Sequence, residues 1–376
     1  MADIPEWKRL MRDSARRGSD VPSLTAEERA QIEEVRERYP FFSNGYYTSL
    51  IREKGDPIWK QVIPSKEELE DPPFYQSDAL AEDGADSPVK HLTHRYPDRV
   101  LFTITYTCAI YCRFCTRKRK VGKFPVPPWH EMEAVFDYLR EHTEVRDVLF
   151  SGGDPFLLGD DYLEKILKEL RAIPHIEILR FGTKIPCVLP QRVTPELCDM
   201  LKKYHPIYVN THFNHPWELT PEAERACALL ANAGIPLGCQ TVLLKGVNDD
   251  PEVMKELMLG LLRFRVKPYY LYQADLVSGT HHFRTDVATG MRIMDHLQGH
   301  ITGFGVPMYV IDAPGGGGKM TVGPNRLMEL NEEYAILRNF EGRVFKYPAK
   351  ADPSGNGGSE ATAAEREGVG IIQDYV

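Results

Sequence analysis

The 376-residue chain has no run of about 18 apolar residues, so no segment is expected to cross a membrane as a helix. Its first twenty residues, MADIPEWKRLMRDSARRGSD, lack the apolar stretch of a secretory leader, and a cytoplasmic location is expected. Positive charge is in deficit. The formal net charge of −8 argues against general nucleic-acid binding and makes any basic cluster a local device. Cysteine is scarce and odd in number, with seven residues and none after Cys239. In a long chain of this kind that argues against a disulfide framework and leaves room for a metal or cluster role.

What is present fits a globular protein, with 42% hydrophobic and 27% charged residues. Residues 1–90 read as a peripheral helical region ending in a turn-rich acidic connector, EDPPFYQSDALAEDGADSP. Within it, Thr25 and Glu28 form the sequence signature of a capping box. From Arg99 the pattern changes. The β-rich runs RVLFTITY, DVLFSGG, EILRFGT, PIYVNTHF, PLGCQTVLL and KPYYLYQ alternate with amphipathic helical stretches. Such alternation means parallel strands with crossover helices. Six units predict an α/β fold, a partial (β/α)6 barrel of the TIM type, over residues 91–320, with functional residues at the C-terminal ends of the strands. Residues 321–376 are expected to be a C-terminal extension, its tail ADPSGNGGSEATAAEREG reading as a flexible linker.

Three stretches carry chemistry. Cys108, Cys112 and Cys115 follow the first barrel run at spacing i, i+4, i+7. That spacing would also bury three thiols on one helical face, and CxxC alone suits a redox pair or half of a zinc site. Zinc needs a fourth ligand, and the next cysteine, Cys187, belongs to another unit. Haem attachment needs His where Thr116 stands. There remains an iron–sulfur cluster, in which three thiolates leave one iron of a four-iron cube open to a small molecule. The second stretch is SGGDP, residues 151–155, where glycines allow close backbone approach and Asp154 offers acceptors to an ammonium. The third is DAPGGGGK, residues 312–319. It fails the Walker pattern at Ala313 and Met320, but it follows the apolar run VPMYVID, so Lys319 can reach the barrel mouth. The commonest covalent cofactor of a lysine is pyridoxal 5′-phosphate (PLP). Arg95 and Arg99, with Tyr96 between them, would suit its phosphate.

Taken in order, THRYPDRVL, CxxxCxxCTR, FSGGD, YHPxxxNTHFNHP, YQxDLxxGxxHFRT and DAPGGGGK resemble the lysine 2,3-aminomutase family of PLP-dependent radical S-adenosylmethionine (SAM) enzymes, from about Ser87 to Tyr347. The resemblance implies a radical SAM barrel in which Cys108, Cys112 and Cys115 hold a [4Fe–4S] cluster. It implies that Ser151, Gly152, Gly153 and Asp154 bind the SAM amine and that His212 and Gln240 line the SAM pocket. Lys319 would bind PLP covalently, with Arg95, Tyr96 and Arg99 on its phosphate. Arg117 would anchor the substrate carboxylate, and Asp275 and Asp312 the substrate ε-ammonium. Two aspartates favour lysine, then arginine or ornithine; relatives acting on glutamate lack such an acid pair. The implied reaction interconverts L-lysine and β-lysine, a 5′-deoxyadenosyl radical initiating migration of nitrogen from C2 to C3. An external electron donor such as flavodoxin or ferredoxin and a homo-oligomer are implied as well. The larger relatives carry a cysteine-rich C-terminal zinc site; here Asp250 stands where they have a distal zinc cysteine, and no structural zinc is expected. The other basic residues beside the cysteines, Lys118, Arg119, Lys120 and Lys123, read either as solvated charges or as neighbours of anionic cofactors.

Overall fold

In the computed structural model, which describes residues 4–21, 24–349 and the backbone of 370–372, the strand runs form one nine-stranded sheet in sequence order. A short β1 (Leu92–Tyr96) pairs antiparallel with β2 (Arg99–Thr105). Then β2, β3 (Asp147–Gly152), β4 (Ile178–Thr183), β5 (Ile207–Thr211), β6 (Leu237–Leu243), β7 (Val266–Gln273) and β8 (Met308–Ala313) are parallel. Finally β9 (Gly318–Val322) returns antiparallel to β8.

Four helices precede the sheet: α1 (Glu6–Arg12), α2 (Ala26–Arg38), α3 (Gly45–Thr48) and α4 (Pro57–Val62). The crossovers are α5 (Trp129–Glu141), α6 (Asp160–Arg171), the short α7 (Ile185–Val188) with α8 (Pro195–Lys202), α9 (Pro221–Asn232), α10 (Pro251–Arg263) and α11 (Val287–Leu297). Six β/α units are thus present, as the alternation predicts. The run VPMYVID supplies a seventh parallel strand, and an antiparallel strand flanks each edge. A second antiparallel sheet follows, of β10 (Leu327–Leu330), β11 (Tyr334–Arg338), β12 (Val344–Pro348) and β13 (Gly370–Ile372). The stretch 351–368, expected to be a linker, lies outside the described residues.

Local chemistry explains these elements. Helix α6 buries Leu163, Ile166, Leu167 and Leu170, which recur at i, i+3, i+4 and i+7. Each such side chain contributes about 2 kcal/mol of burial. Thr194, Thr220 and Asp250 cap α8, α9 and α10 through their side chains, each followed by a proline whose missing N–H costs nothing in a first turn. Asp250 therefore has a capping task here, accepting from Glu252 N at 2.8 Å. The capping box of α2 is formed as expected, with Glu28 N donating to Thr25 and Thr25 N donating to Glu28.

The strands show two faces. On β3, Val148, Phe150 and Gly152 are fully buried, while Asp147, Leu149 and Ser151 are half-buried and line the lumen. The outer face carries Phe102, Phe150 and Phe181 on successive strands, with ring centroids 6.2 and 4.6 Å apart. Phe102 also meets Phe136 of α5. The inner face is not packed shut. It bounds a cavity of about 760 Å³.

The N-terminal region shares the barrel's core through Ile32, Phe41, Tyr47, Ile58 and Val62. It also reaches the loop after β2. Glu68, fully buried, accepts from Arg113 at 2.5 and 2.9 Å and from Lys118 at 2.7 Å. Arg113 lies between Cys112 and Cys115, so this ion triad ties the cysteine loop to the N-terminal region. Glu68→Ala would leave two buried cations without their carboxylate, at a cost of about 3–5 kcal/mol. A clear fall in the thermal unfolding midpoint is expected; an unchanged midpoint would show that the triad does not hold the loop.

Candidate functional site

The loop after β2 and the turn after β3 are laid directly on each other. Gly153 N donates to Thr105 O at 2.6 Å, and Asp154 N to Thr107 O at 2.7 Å. Gly152 has φ +112°, and a Cβ there would lie 2.4 Å from Thr105 O; at Gly153 it would lie 2.3 Å from Thr107 O. Both glycines are therefore required by the approach of two backbones. This contact places SGGD beside Cys108, and all three cysteines line the cavity together with Ser151 and Asp154.

Burial pushes the three thiols up, Cys112 to about 12, and neighbouring Lys184 pulls Cys112 partly back. A bound metal must displace those protons. Among the described residues no three His, Cys, Asp or Glu side chains converge on a single-ion site. A four-iron cube makes no such demand, because each thiolate takes a different corner. The donor set of three thiols at one cavity wall fits the cluster. Cys187, Cys198, Cys227 and Cys239 are buried elsewhere in the core.

Asp154 is fully enclosed. It accepts from Thr183 Oγ1 at 2.6 Å, Phe156 N at 3.1 Å and Lys184 N at 2.8 Å, and burial raises its carboxyl to about 6. These donors from its own chain fasten the turn against the end of β4. Gln240 Nε2 of β6 donates to Nε2 of His212, the residue just after β5, at 2.9 Å. Burial, then the Lys184 charge, lowers His212 to about 3, so the ring stays neutral. Lys184 lines the same cavity and is neutralised by buried Glu218 at 3.0 Å. Sequence reasoning missed it; its only signal is its place just after the strand run EILRFGT.

The glycine run makes the turn of the β8–β9 hairpin. Gly315, Gly316 and Gly318 take φ of +69°, +88° and +82°, which explains a run of glycines at this corner. The hairpin pairs Asp312 directly with Lys319. Lys319 Nζ lies 2.9 and 3.0 Å from the Asp312 carboxylate oxygens. Asp275, just after β7, is raised to about 7 by burial and then by the Asp312 charge, with Lys319 pulling the other way. Lys319 N donates to Tyr96 Oη at 3.0 Å, which joins the two edge strands β9 and β1. Arg95 abuts Gly316 and is held by Asp86 at 2.7 Å. Arg99 stacks over Tyr96 at 4.1 Å. A lysine amine beside two arginines and a phenol, on the wall of one cavity, fits a phosphate-bearing aldehyde cofactor.

The basic run after the cysteines divides in an unexpected way. Arg117 lines the cavity and pairs with Glu82. Lys118 is buried on Glu68 and Gly279 O. Arg119 meets Asp78 at 2.7 Å and Lys120 meets Asp83. Most of the run is neither free in solvent nor turned to cofactors; it is matched to acids of the N-terminal region. Only Lys123, exposed on Arg38 O, keeps the solvated reading. The acidic connector is thus the counterpart of the basic run, a relation that sequence distance conceals.

A partial β/α barrel with three cysteines after its first parallel strand and a glycine–acid turn after its second defines a radical SAM protein. The Radical SAM superfamily accordingly matches residues 102–258, and the Lysine-2,3-aminomutase family matches residues 294–371. The chain is 51% identical over 335 residues to L-lysine 2,3-aminomutase of Methanococcus maripaludis, covering 88% of this chain and 76% of that one. It is 49% identical over 352 residues to L-lysine 2,3-aminomutase of Clostridium subterminale, covering 92% and 84%. It is also 46% identical over 334 residues to glutamate 2,3-aminomutase of Clostridioides difficile, covering 87% and 78%. The chain belongs to the lysine 2,3-aminomutase family. Its cofactors are those of the family, a [4Fe–4S] cluster, SAM and PLP, and radical SAM chemistry requires a reductant. No helix of the described residues is long and apolar enough to cross a membrane.

Proposed function

We propose that the chain is an L-lysine 2,3-aminomutase that interconverts L-lysine and β-lysine. The observation that carries this is the pair Asp275 and Asp312 beside Lys319, in the cavity that also holds the three cysteines. When bound, the cluster and SAM supply a radical and PLP supplies delocalisation at the substrate nitrogen. The chain supplies position and charge. Cys108, Cys112 and Cys115 hold the cluster; Ser151, Gly152, Gly153 and Asp154 receive the SAM amine, with His212 and Gln240 along its pocket. Lys319 holds PLP, and Arg95, Tyr96 and Arg99 its phosphate. Arg117 receives the substrate carboxylate. Asp275 and Asp312 receive the ε-ammonium, which would be costly to bury without them.

The same acid pair argues against glutamate, whose side-chain carboxylate would meet two like charges. Arginine or ornithine is the second reading, since either also carries a side-chain cation. We take 91–320 as the catalytic unit, between an N-terminal region of 1–90 and an extension of 321–376. A cytoplasmic setting with flavodoxin or ferredoxin as donor suits an oxygen-sensitive cluster. Leu330 and Tyr347, 63% and 61% exposed on the C-terminal sheet, suit a homo-oligomer. The test is an anaerobic assay of protein reconstituted with cluster, PLP, SAM and dithionite, given L-lysine, L-arginine, L-ornithine and L-glutamate separately. β-Lysine from lysine alone is expected. β-Arginine or β-ornithine instead would move the substrate assignment, and no β-isomer from any would end it.

A further inference from the structure

Arg117 does not stand free in the cavity. Its guanidinium donates through Nε to Glu82 Oε2 at 2.9 Å and through Nη2 to Glu82 Oε1 at 2.5 Å. This is the two-point fit of a carboxylate on one edge of the guanidinium fork. Nη1 alone turns to another partner, Ser151 Oγ at 3.1 Å. The side chains of Arg117 and Glu82 are only 15% and 10% exposed.

Glu82 is itself held. Glu82 N and Asp83 N donate to the two oxygens of Asp78, at 3.1 and 3.0 Å. Ala81 before it takes φ +51°, the left-handed region that a side chain enters at a cost. Leu80 O accepts from Arg95, and Asp83 meets Lys120. The turn 78–83 is therefore fastened on both sides, and its strained residue sets the direction of Glu82.

We propose that Glu82 is a positioning residue for the substrate carboxylate, acting through Arg117; this rests on the assignment of Arg117 as the carboxylate anchor. Glu82 occupies the Nε–Nη2 edge and locks the fork, so that the substrate carboxylate meets only the Nη1–Nη2 end, on the side of Ser151. The carboxylate then has one permitted orientation relative to the turn that follows β3. A loose Arg117 could turn either edge to the ligand, and the reacting carbons would lose their register.

The test compares L-lysine with 1,5-diaminopentane, which has lysine's two amines and no carboxylate. Both dissociation constants are measured by equilibrium dialysis on protein carrying its cluster and PLP, for wild type, Glu82→Gln and Arg117→Ala. Iron and PLP contents serve as folding controls. In Glu82→Gln, lysine is expected to bind about tenfold more weakly, the scale of a lost charge-assisted hydrogen bond. Diaminopentane should be unchanged, and Glu82→Asp should recover part of the lysine affinity. If Arg117→Ala removes the preference for lysine but Glu82→Gln keeps it, the clamp is wrong and the anchor stands. Tighter lysine binding in Glu82→Gln would overturn the proposal too, because Glu82 would then be a competitor. If Arg117→Ala leaves the preference intact, the anchor itself is wrong and the clamp falls with it.

Discussion

Lys319→Ala is expected to abolish β-lysine formation, by about 10⁴-fold or more, the scale reached when a covalent catalytic group is removed. Three left-handed glycines turn the chain so that Lys319 lies opposite Asp312, and the Tyr96 hydroxyl fixes its backbone. Among the described residues the other lysine lining the cavity, Lys184, is buried on Glu218 and His212 O near Cys112, whereas Lys319 is more exposed to the cavity. The variant should keep its iron and its SAM binding, because the cysteine loop and the SGGD turn are braced by separate contacts. It should lose the visible absorbance of bound PLP. Borohydride reduction of the wild type should leave PLP on the peptide containing Lys319. Label on another lysine, or PLP still held covalently by Lys319→Ala, would contradict the assignment.

The second large effect concerns Asp275. Its carboxyl is raised to about 7, by burial first and by Asp312 next. Below that pH the free protein carries Asp275 protonated and neutral, a poor partner for an ammonium; above it the carboxylate is charged. Capture of lysine should therefore strengthen as pH rises through about 7 and level off beyond. Asp154, raised to about 6, should add a step at lower pH that follows SAM rather than lysine. Asp275→Asn removes the partner at every pH. Its kcat/KM for lysine should fall by about 10²-fold or more, and the step near pH 7 should vanish while the lower one remains. A step near 7 that persists in Asp275→Asn would assign that titration to another group.

Much of this architecture can be read from the chain because its signals are local. TPEL, TPEA and DPEV announce capped helices, and the period of α6 is visible in DDYLEKILKELR. CxxxCxxC, SGGD and GGGGK each sit at the end of a strand-like run, so their convergence follows once the strands are parallel. The pairings that organise the site are long-range and could not be read in this way. Glu82 meets Arg117 from 35 residues away, and Glu68 meets Lys118 from 50. The connector holding Glu82 has the composition of a solvated acidic linker, and only the fold shows which of its acids face a guanidinium. The cavity in the lumen was also hidden. Arg180 and Asp147, paired at 2.8 Å inside it, sit in strand runs that look ordinary in sequence.

The central claim is that one cavity brings radical generation and a cationic amino acid together. It is tested most directly with L-lysine deuterated at C3, incubated anaerobically with the reconstituted protein and unlabelled SAM. If the 5′-deoxyadenosyl radical takes its hydrogen from C3 and SAM re-forms after the hydrogen is returned, deuterium is expected in SAM recovered after turnover and in the β-lysine formed. β-Lysine that forms while recovered SAM stays unlabelled would contradict it.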